Sequence, residues 1–537
     1  MRTFVNGLSL GFAFMALNAC GDMSERGEHT PNEELGSDQP AAAGGSEIGQ
    51  SQQALDPNDW TIGGNTLAAV GRIGSNNNFA IELEVNNVRA LRIEPGTTPN
   101  LIGGNLQNAV SAAVVGAVVS GGGSASGLNL NAVYDNYGFV GGGEGNRAGE
   151  TTVGPATGTH AVAVGGQFNK AAASYTAIVG GQNNNVFGNA VCSFIGGGIN
   201  NEIVASTATI GGGDSNEIGV GNNGGFGTIG GGLGNTVLGD KGTIAGGESN
   251  LVRTGVSYGS IGGGRLNDVQ ATTGTIGGGE SNSVQGLWGT VSGGLSGSAS
   301  GWFATVPGGA LNWAGGSFSF AAGRRAKASQ HGCFTWGDST DADVTCSGVD
   351  HFAARASGGV TFWTSPTLIS GVTVSGGGNA WSSVSDRNAK RGFKPVDTRA
   401  VLDRLANIPI TEWGYKSEAN GIRHMGPMAQ DFYAAFRLGD SDRLIATIDA
   451  DGIALAAIQG LHRELKDLKR AKSTLETENA KLTQRMLRLE ERMTQLGKSG
   501  AAPQALGVLN PWLGMLGMGC VAALVLTRRR RDDRPVV

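Results

Sequence analysis

A short motif that recurs about every 15 residues constrains this chain more than any other feature. Most steps between instances are 15 residues, and the others are 16, 17 or 19. A fixed period is the sequence signature of a solenoid, in which each repeat forms one coil. The motif is an Ile or Val followed by Gly-Gly, directly or after one residue, and it begins at Val164, Val179, Ile195, Ile210, Ile229, Ile244, Ile261, Ile276, Val291 and Val306.

Each repeat contains two short strand-like pieces, such as Gly274–Ile276 and Asn282–Val284. Glycine adopts the positive φ of tight corners without strain. Asparagine tolerates the left-handed region and bonds its own backbone, and it recurs after the glycines. One inward Ile or Val per coil gives a thin core, so coils must stack, and burial between chains becomes attractive. The asparagines concerned are Asn183, Asn200, Asn216, Asn235, Asn250, Asn267 and Asn282.

These units resemble the head repeats of trimeric autotransporter adhesins and related haemagglutinin-like surface proteins over about residues 100–325. The resemblance implies a trimeric, left-handed parallel β-roll, which we place at residues 101–330. Calcium-binding nonapeptide repeats need a regular Asp after the glycines, and collagen needs a Gly-X-Y register. Neither pattern occurs, so we expect no metal and no other cofactor.

The composition excludes two further classes. Charged residues make up 15% of the chain, hydrophobic residues 39%, glycines 94 of 537 residues, and the formal net charge is −5. A disordered chain combines low hydrophobicity with high net charge, and nucleic-acid binding needs a basic face. We therefore expect a folded repeat protein with no nucleic-acid partner.

The flanks of the array have their own patterns. Phe79–Val85 and Val88–Ile93 alternate with period two, which predicts strands and an N-terminal β cap at residues 59–100. We expect residues 331–384 to close the roll. His331 and His351 lack a partner cluster, so we interpret both as exposed loop residues rather than metal ligands.

The composition changes abruptly at the stretch Ser385–Lys390, where the glycine runs end and charged residues begin. A serine becomes a nucleophile when a base takes its proton, and a lysine in its neutral form can be that base. The alternative is a helix N-cap at Ser385 and a solvated Lys390.

The longer context resembles the intramolecular chaperone auto-processing domain of endosialidase tailspikes, phage tail fibres and the myelin regulatory factor. The resemblance implies a trimerising chaperone at residues 385–460 that cleaves the bond between Val384 and Ser385. It makes Ser385 the nucleophile and Lys390 the general base, and it gives His424, Gln430 and Asp431 supporting structural roles. The segments that carry it are Ser385–Lys390, Val401–Leu405, Glu412–Lys416, Gly421–Asp431 and Ile448–Ile458.

A heptad pattern predicts a coiled coil over residues 461–497. Lys472 and Asn479 are polar positions that would fix its register. The alternative is a single amphipathic helix that packs on its own domain. A trimer is implied by the resemblance and not by the heptads. The pattern consists of Leu461, Leu465, Leu468, Lys472, Leu475, Asn479, Leu482, Met486, Leu489, Met493 and Leu496.

Both ends carry membrane signals. Residues 1–20 form a secretory signal, and the ending Leu17–Cys20 resembles a bacterial lipobox, which implies lipid on Cys20; the alternative is an ordinary signal peptide. Polar residues 21–58 predict a disordered linker. At the C-terminus we expect a linker at residues 498–505. The apolar residues 506–527 predict a transmembrane helix, and residues 528–537 form a basic tail. The alternative for residues 506–527 is a hydrophobic helix at a trimer interface. We expect an exported, membrane-anchored protein of the bacterial envelope or surface.

The five cysteines include no CxxC pair, which argues against a zinc site. Cys333 and Cys346 are close enough in sequence to pair in an oxidising compartment, and two free thiols are the alternative.

Together these patterns predict a homotrimeric surface fibre or adhesin-like lipoprotein that contacts an unknown surface or glycan and cleaves itself once. One alternative is a fibre that degrades or binds polysaccharide, and another is an uncleaved structural protein. Degradation would need paired carboxylates in a cleft.

Overall fold

The computed structural model describes residues 74–124, 126, 129–150, 159–219 and 225–498. These residues form two compact units. One contains the described residues up to Val360 together with Ser375–Asn379, and the other contains Thr361–Val374 and the described residues from Ala380 onward. The predicted signal peptide with Cys20, the linker 21–58, the start of the β cap and the transmembrane segment 506–527 lie outside the described residues.

The first unit is a parallel β-solenoid built from two sheets, here named sheet A and sheet B. Sheet A contains the strands Ile81–Val85, Val88–Glu94, Asn100–Gly103, Val118–Val119, Phe139–Val140, Val162–Ala163, Ala177–Ile178, Phe194–Ile195, Thr209–Ile210, Thr228–Ile229, Thr243–Ile244, Ser260–Ile261, Thr275–Ile276, Thr290–Val291, Thr305–Val306, Gly309–Ala310, Phe320–Arg324, Phe334–Gly337 and Phe352–Arg355. Sheet B contains Ala109–Val110, Ala132–Val133, Arg147–Ala148, Lys170–Ala171, Asn185–Val186, Glu202–Ile203, Glu217–Ile218, Thr236–Val237, Leu251–Val252, Asp268–Val269, Ser283–Val284, Ser298–Ala299, Trp313–Ala314, Ala326–Ala328 and Val344–Thr345.

Each coil contributes one strand to each sheet, and the second residue of a two-residue strand points into the coil. Ile276 of sheet A and Val284 of sheet B, from the same coil, are both 0% exposed. Equivalent residues pair in parallel register, as Ile276 does with Val291. The expectation of one inward residue per coil is therefore wrong, because the second strand adds another. The interior is consequently closed within a single chain.

The motif instances at Val164 and Val179 do not mark the inward position. Their side chains are 44% and 45% exposed, whereas Ala163 and Ile178 are 0% exposed. At these two coils the valine occupies the position that a third glycine takes elsewhere, as in Ile195-Gly-Gly-Gly. A shift of one residue in a strand moves a side chain to the opposite face, so counting back from the last glycine gives the correct register.

The last glycine of each run is fixed by the close approach of the next coil. Gly264 has φ +85°, and a Cβ on it would overlap the carbonyl oxygen of Gly279. The same conflict recurs at Gly279 with Gly294. Any side chain here would push the coils apart, which explains why the motif tolerates no other residue.

Buried asparagines form a hydrogen-bonded ladder between the sheets, which among the described coils is interrupted once, at Gly297. Asn250 is 1% exposed. Its Nδ2 donates to the oxygens of Gly246 and Gly264 at 3.1 and 2.9 Å, and its Oδ1 accepts from the backbone N–H of Asn267 at 3.1 Å. The predicted left-handed role therefore applies only to Asn183 and Asn200, at φ +56° and +54°. The ladder residues include Asn131, Asn146, Asn169, Asn184, Asn201, Asn216, Asn235, Asn250, Asn267, Asn282 and Asn312.

Both ends of the solenoid differ from its repeats. At the start, Ile81–Val85 and Val88–Glu94 form an antiparallel hairpin on the end of sheet A. At the other end the coils continue beyond residue 330 as far as Phe352–Arg355. Cys333 and Cys346 form a disulfide there with a Cα–Cα distance of 6.3 Å, and both are at most 5% exposed.

The second unit is small and mixed α+β. Its helices are α1 (Thr398–Ala406), α2 (Ala429–Phe436) and α3 (Thr447–Lys498), and Thr411–Trp413 pairs antiparallel with His424–Gly426. Strands Gly359–Trp363, Gly371–Ser375 and Ser382–Ser383 form a small sheet. The helices share a core made of Val401, Ile408, Phe432, Ile453 and Ala457.

Helix α3 has two parts with different surroundings. Ile453, Ala457 and Gly460 are buried, whereas the apolar heptad residues from Leu461 to Leu496 are 47–73% exposed. The first part packs on its own domain, and the second carries an exposed apolar stripe with the spacing of a coiled-coil strand. Among the described helices, none combines the length and apolarity that a bilayer crossing requires.

The asparagine ladder gives a first prediction. Asn250→Ala would remove the acceptor of the buried Asn267 N–H and the amide that donates to the Gly246 carbonyl, at a cost of about 2–4 kcal/mol. We expect hydrogen exchange in the flanking coils to report a local opening free energy that is lower by that amount. Gln285→Ala, at an exposed outward position of sheet B, is the control. Equal effects of the two changes would contradict a stabilising ladder.

A second prediction concerns pH. Burial, and then the charge of the adjacent Glu202, raise the pKa of Glu217. The folded chain then binds the proton more tightly than the unfolded chain, so stability falls as pH rises through this window. We expect Glu217→Gln to raise the free energy of unfolding at pH 7 by roughly a few tenths of a kcal/mol, because the group is partly exposed, and to raise the melting temperature accordingly. The gain should vanish below about pH 4. Glu280→Gln, which removes a partner of Arg265, should give no gain.

Candidate functional site

A strand end and a tight turn place the residues at the junction. Ser383 pairs with Val372 in the small sheet, and the N–H of Val384 donates to the oxygen of Gly371 at 3.1 Å. These bonds hold the chain up to the bond between Val384 and Ser385. A 3₁₀ turn, Arg387–Ala389, begins immediately afterwards.

Asp386 shapes this turn as its N-cap. Its carboxylate accepts from the backbone N–H of Asn388 at 2.9 Å. The N–H of Lys390 then donates to the oxygen of Arg387 at 3.2 Å. The N-cap is therefore Asp386 rather than Ser385, which leaves the serine hydroxyl outside the turn's hydrogen bonds. Asp followed by Asn two positions later is a turn-forming pattern, so Asp386 could have been identified from the sequence.

The turn brings the two predicted catalytic side chains into contact. Lys390 Nζ lies 2.6 Å from Ser385 Oγ. This is the spacing that proton transfer between a nucleophile and its base requires. The distance is therefore one that the predicted Ser-Lys dyad requires, and the two residues are here named the candidate dyad.

The dyad is open to solvent within one chain. Every residue from Gly376 to Pro395 is exposed, and Val384 is 36% exposed. A lysine accepts a proton only in its neutral form, and burial is what favours that form. A single chain thus supplies the distance that the chemistry needs but not the enclosure.

His424 belongs to a separate cluster. Its Nε2 lies 3.0 Å from Glu418 Oε2, and its ring contacts those of Trp413 and Tyr415 at centroid distances of 4.8 and 5.6 Å. The carboxylate of Glu418 also accepts from the N–H of Tyr415 at 3.1 Å. His424 therefore links the two-stranded sheet to the loop between its strands. Glu418 and Trp413 are parts of this cluster that the sequence analysis missed.

Gln430 and Asp431 lie in the first turn of α2. Asp431 stands where a carboxylate stabilises the positive end of the helix dipole. It also lines a shallow groove with Arg404, Asn407 and Ile408. Gln430 is exposed. Their positions fit support of the helix, and neither takes part in the dyad's hydrogen bond.

Helix α1, which follows the candidate dyad in the sequence, packs closely against α3. A Cβ on Gly460 would overlap the carbonyl oxygen of Thr398, so the glycine permits α1 and α3 to touch. Arg399 of α1 forms an ion pair with Asp467 of α3. The segment that follows the dyad is thereby attached to the long helix.

Residues 385–437 match the peptidase S74 family, described as the chaperone of endosialidase. The match begins at Ser385 and covers about a tenth of the 537 residues. It supports the predicted chaperone domain, and domains of this family imply trimerisation. No curated protein matches the chain. The resemblance of the repeats to adhesin heads therefore stays a prediction.

Proposed function

We propose that this chain is a trimeric surface fibre whose C-terminal domain assembles it and then releases itself by one cleavage before Ser385. The solenoid forms the shaft, and the domain similar to the chaperone of endosialidase aligns three copies. The 2.6 Å contact between Ser385 and Lys390, at the first residue of the family match, is the observation that carries this proposal.

The reaction would be an acyl shift followed by hydrolysis. Ser385 Oγ attacks the carbonyl carbon of Val384 while Lys390 Nζ takes the hydroxyl proton. The bond to the Ser385 nitrogen then breaks, and Lys390 returns the proton to the departing amine. The products of this step are an ester on Oγ and a free amino group. Water then hydrolyses the ester, which leaves a carboxylate on Val384 and restores the serine.

Assembly would control the timing. The exposure of the dyad in one chain means that a neighbouring copy must cover Lys390 before its neutral form is favoured. The exposed apolar face of α3 after Gly460 is suited to a coiled coil that brings copies together. Cleavage would then follow trimer formation.

The location is also a proposal. The signal-like segment 1–20 with Cys20, the apolar segment 506–527 and the disulfide of Cys333 with Cys346 all suit an exported protein anchored in a bacterial envelope. A disulfide persists in oxidising compartments.

Single substitutions test the chemistry. We expect Ser385→Ala to give one full-length band on a denaturing gel, and Lys390→Met to slow cleavage at least about 100-fold because the base is lost. The unchanged chain should give a C-terminal fragment that begins at Ser385, as N-terminal sequencing would show. Ser383→Ala and Lys394→Met, at neighbouring exposed positions, should cleave normally. Two fragments from Ser385→Ala would exclude this serine as the nucleophile.

The cap at Asp386 gives a finer test. Asp386→Ala removes the acceptor that fixes the turn, at about 1 kcal/mol, so fragments should appear roughly 5-fold more slowly. Asp386→Asn keeps a capping oxygen and should restore most of the rate. If the asparagine variant were as slow as the alanine variant, the charge of Asp386 and not its cap would matter.

A further inference from the structure

The two sheets of the solenoid present different outer faces. In sheet A, the first residue of each two-residue strand from Val118–Val119 to Thr305–Val306 points outward. These positions hold only Val, Phe, Ala, Thr or Ser, and they end in the run Thr228, Thr243, Ser260, Thr275, Thr290 and Thr305. In the part of the solenoid that the structure describes, this column contains no charged residue.

The equivalent column of sheet B is charged. Its outward positions include Arg147, Lys170, Glu202, Glu217 and Asp268. Lys170 pairs with Glu150, and Asp268 pairs with Arg253 on the same face. Sheet B thus has the composition of a solvated surface, whereas sheet A does not.

At its C-terminal end the outer face of sheet A becomes aromatic. Phe320, Phe334 and Phe352 occupy one register position on three adjacent strands, and their rings stack at 4.6 and 4.8 Å. Trp336 lies two residues along the same strand as Phe334 and is 38% exposed. Phe352 is 65% exposed. An exposed apolar patch of this kind marks an interaction surface.

We propose that the outer face of sheet A is the surface through which copies of this chain pack along the shaft, with the aromatic patch at its C-terminal end. This inference rests on the proposed trimer and identifies its contact surface. The occupant is a second copy because the family match implies trimerisation, and residues close to the rotation axis of a trimer approach their own equivalents in the other copies.

The charge on the two outer faces indicates which sheet can pack against its own copies. Near a rotation axis each residue faces its own copies, so a charged side chain would be placed beside like charges, which is unfavourable. Sheet A avoids this cost at every outward position described above. Sheet B would place Arg147 or Asp268 against their own copies.

A second apolar column runs along one corner of the solenoid. It contains Trp288, Phe303 and Phe318, whose rings stack at 4.8 and 5.1 Å. The same corner holds Lys241, whose Nζ lies 4.7 Å from the ring centre of Tyr258. This charge makes the corner a poorer surface for self-association than the uncharged column of sheet A.

Cysteine cross-linking of the full chain tests the proposal. Thr275→Cys places a thiol on sheet A, and Ser283→Cys places one on sheet B of the same coil. After treatment with a short bismaleimide, we expect Thr275→Cys to give covalent dimers at least about fivefold above Ser283→Cys. The unsubstituted chain, which has five cysteines, gives the background. Sedimentation of each sample gives the mass of the assembly.

The outcomes distinguish a wrong contact surface from a wrong oligomeric state. A trimeric mass with cross-links from Ser283→Cys, or with none from Thr275→Cys, would overturn this surface and leave the proposed function standing. A monomeric mass would overturn both.

A matched tryptophan pair provides the second test. Trp336 on sheet A and Trp313 on sheet B are 38% and 39% exposed. In the Thr275→Cys background, Trp336→Glu should reduce the cross-link yield several-fold because it places like charges together, whereas Trp313→Glu should leave it unchanged. Equal yields from the two variants would contradict the proposal.

Discussion

The buried asparagine amide is the interaction on which the solenoid depends. A coil of about 15 residues that is rich in glycine has few large side chains with which to hold its neighbour. Each ladder amide donates to backbone carbonyls of its own coil and the next and accepts from the following asparagine. It thus satisfies backbone groups at a corner that short strands leave unpaired, and unsatisfied buried groups cost about 1–3 kcal/mol each. The glycines let the coils approach closely enough for these bonds to form.

The period of the sequence was enough to predict a mainly β solenoid with two short strands per coil, because the spacing of Ile and Gly-Gly follows directly from coil geometry. The period was not enough to show that Val164 and Val179 point outward. At these two coils a valine replaces the first of three glycines, so the inward residue lies one position earlier than the motif predicts. The buried role of Asn250 and its equivalents was also missed. A local preference for left-handed backbone explains Asn183 equally well, and only the packed coils distinguish the two roles.

In the candidate site, too, some residues could be predicted from the sequence and others could not. Ser385 and Lys390 could be paired from their spacing and context, because a tight turn of five residues brings such side chains together. Asp386 could also have been identified, because its spacing to Asn388 is a turn-forming pattern. The importance of Glu418 and Trp413 depends on a hydrogen bond and ring contacts that the motif does not encode. The distance between Ser385 and Lys390 is set locally by one turn, and the pair is exposed in the single chain. In the function that we propose, neighbouring copies would enclose the pair, so that cleavage would depend on assembly.

Within the ladder from Asn131 to Asn312, the coil at Gly297 lacks the asparagine. The backbone N–H of Gly297 still donates to Asn282 Oδ1 at 2.8 Å, but no amide continues to the next coil, and the ladder resumes at Asn312. The strands on either side still pair in parallel register. The coils around Gly297 are therefore joined by fewer side-chain hydrogen bonds than the other coils of the ladder, so under tension along the solenoid we expect this junction to open first.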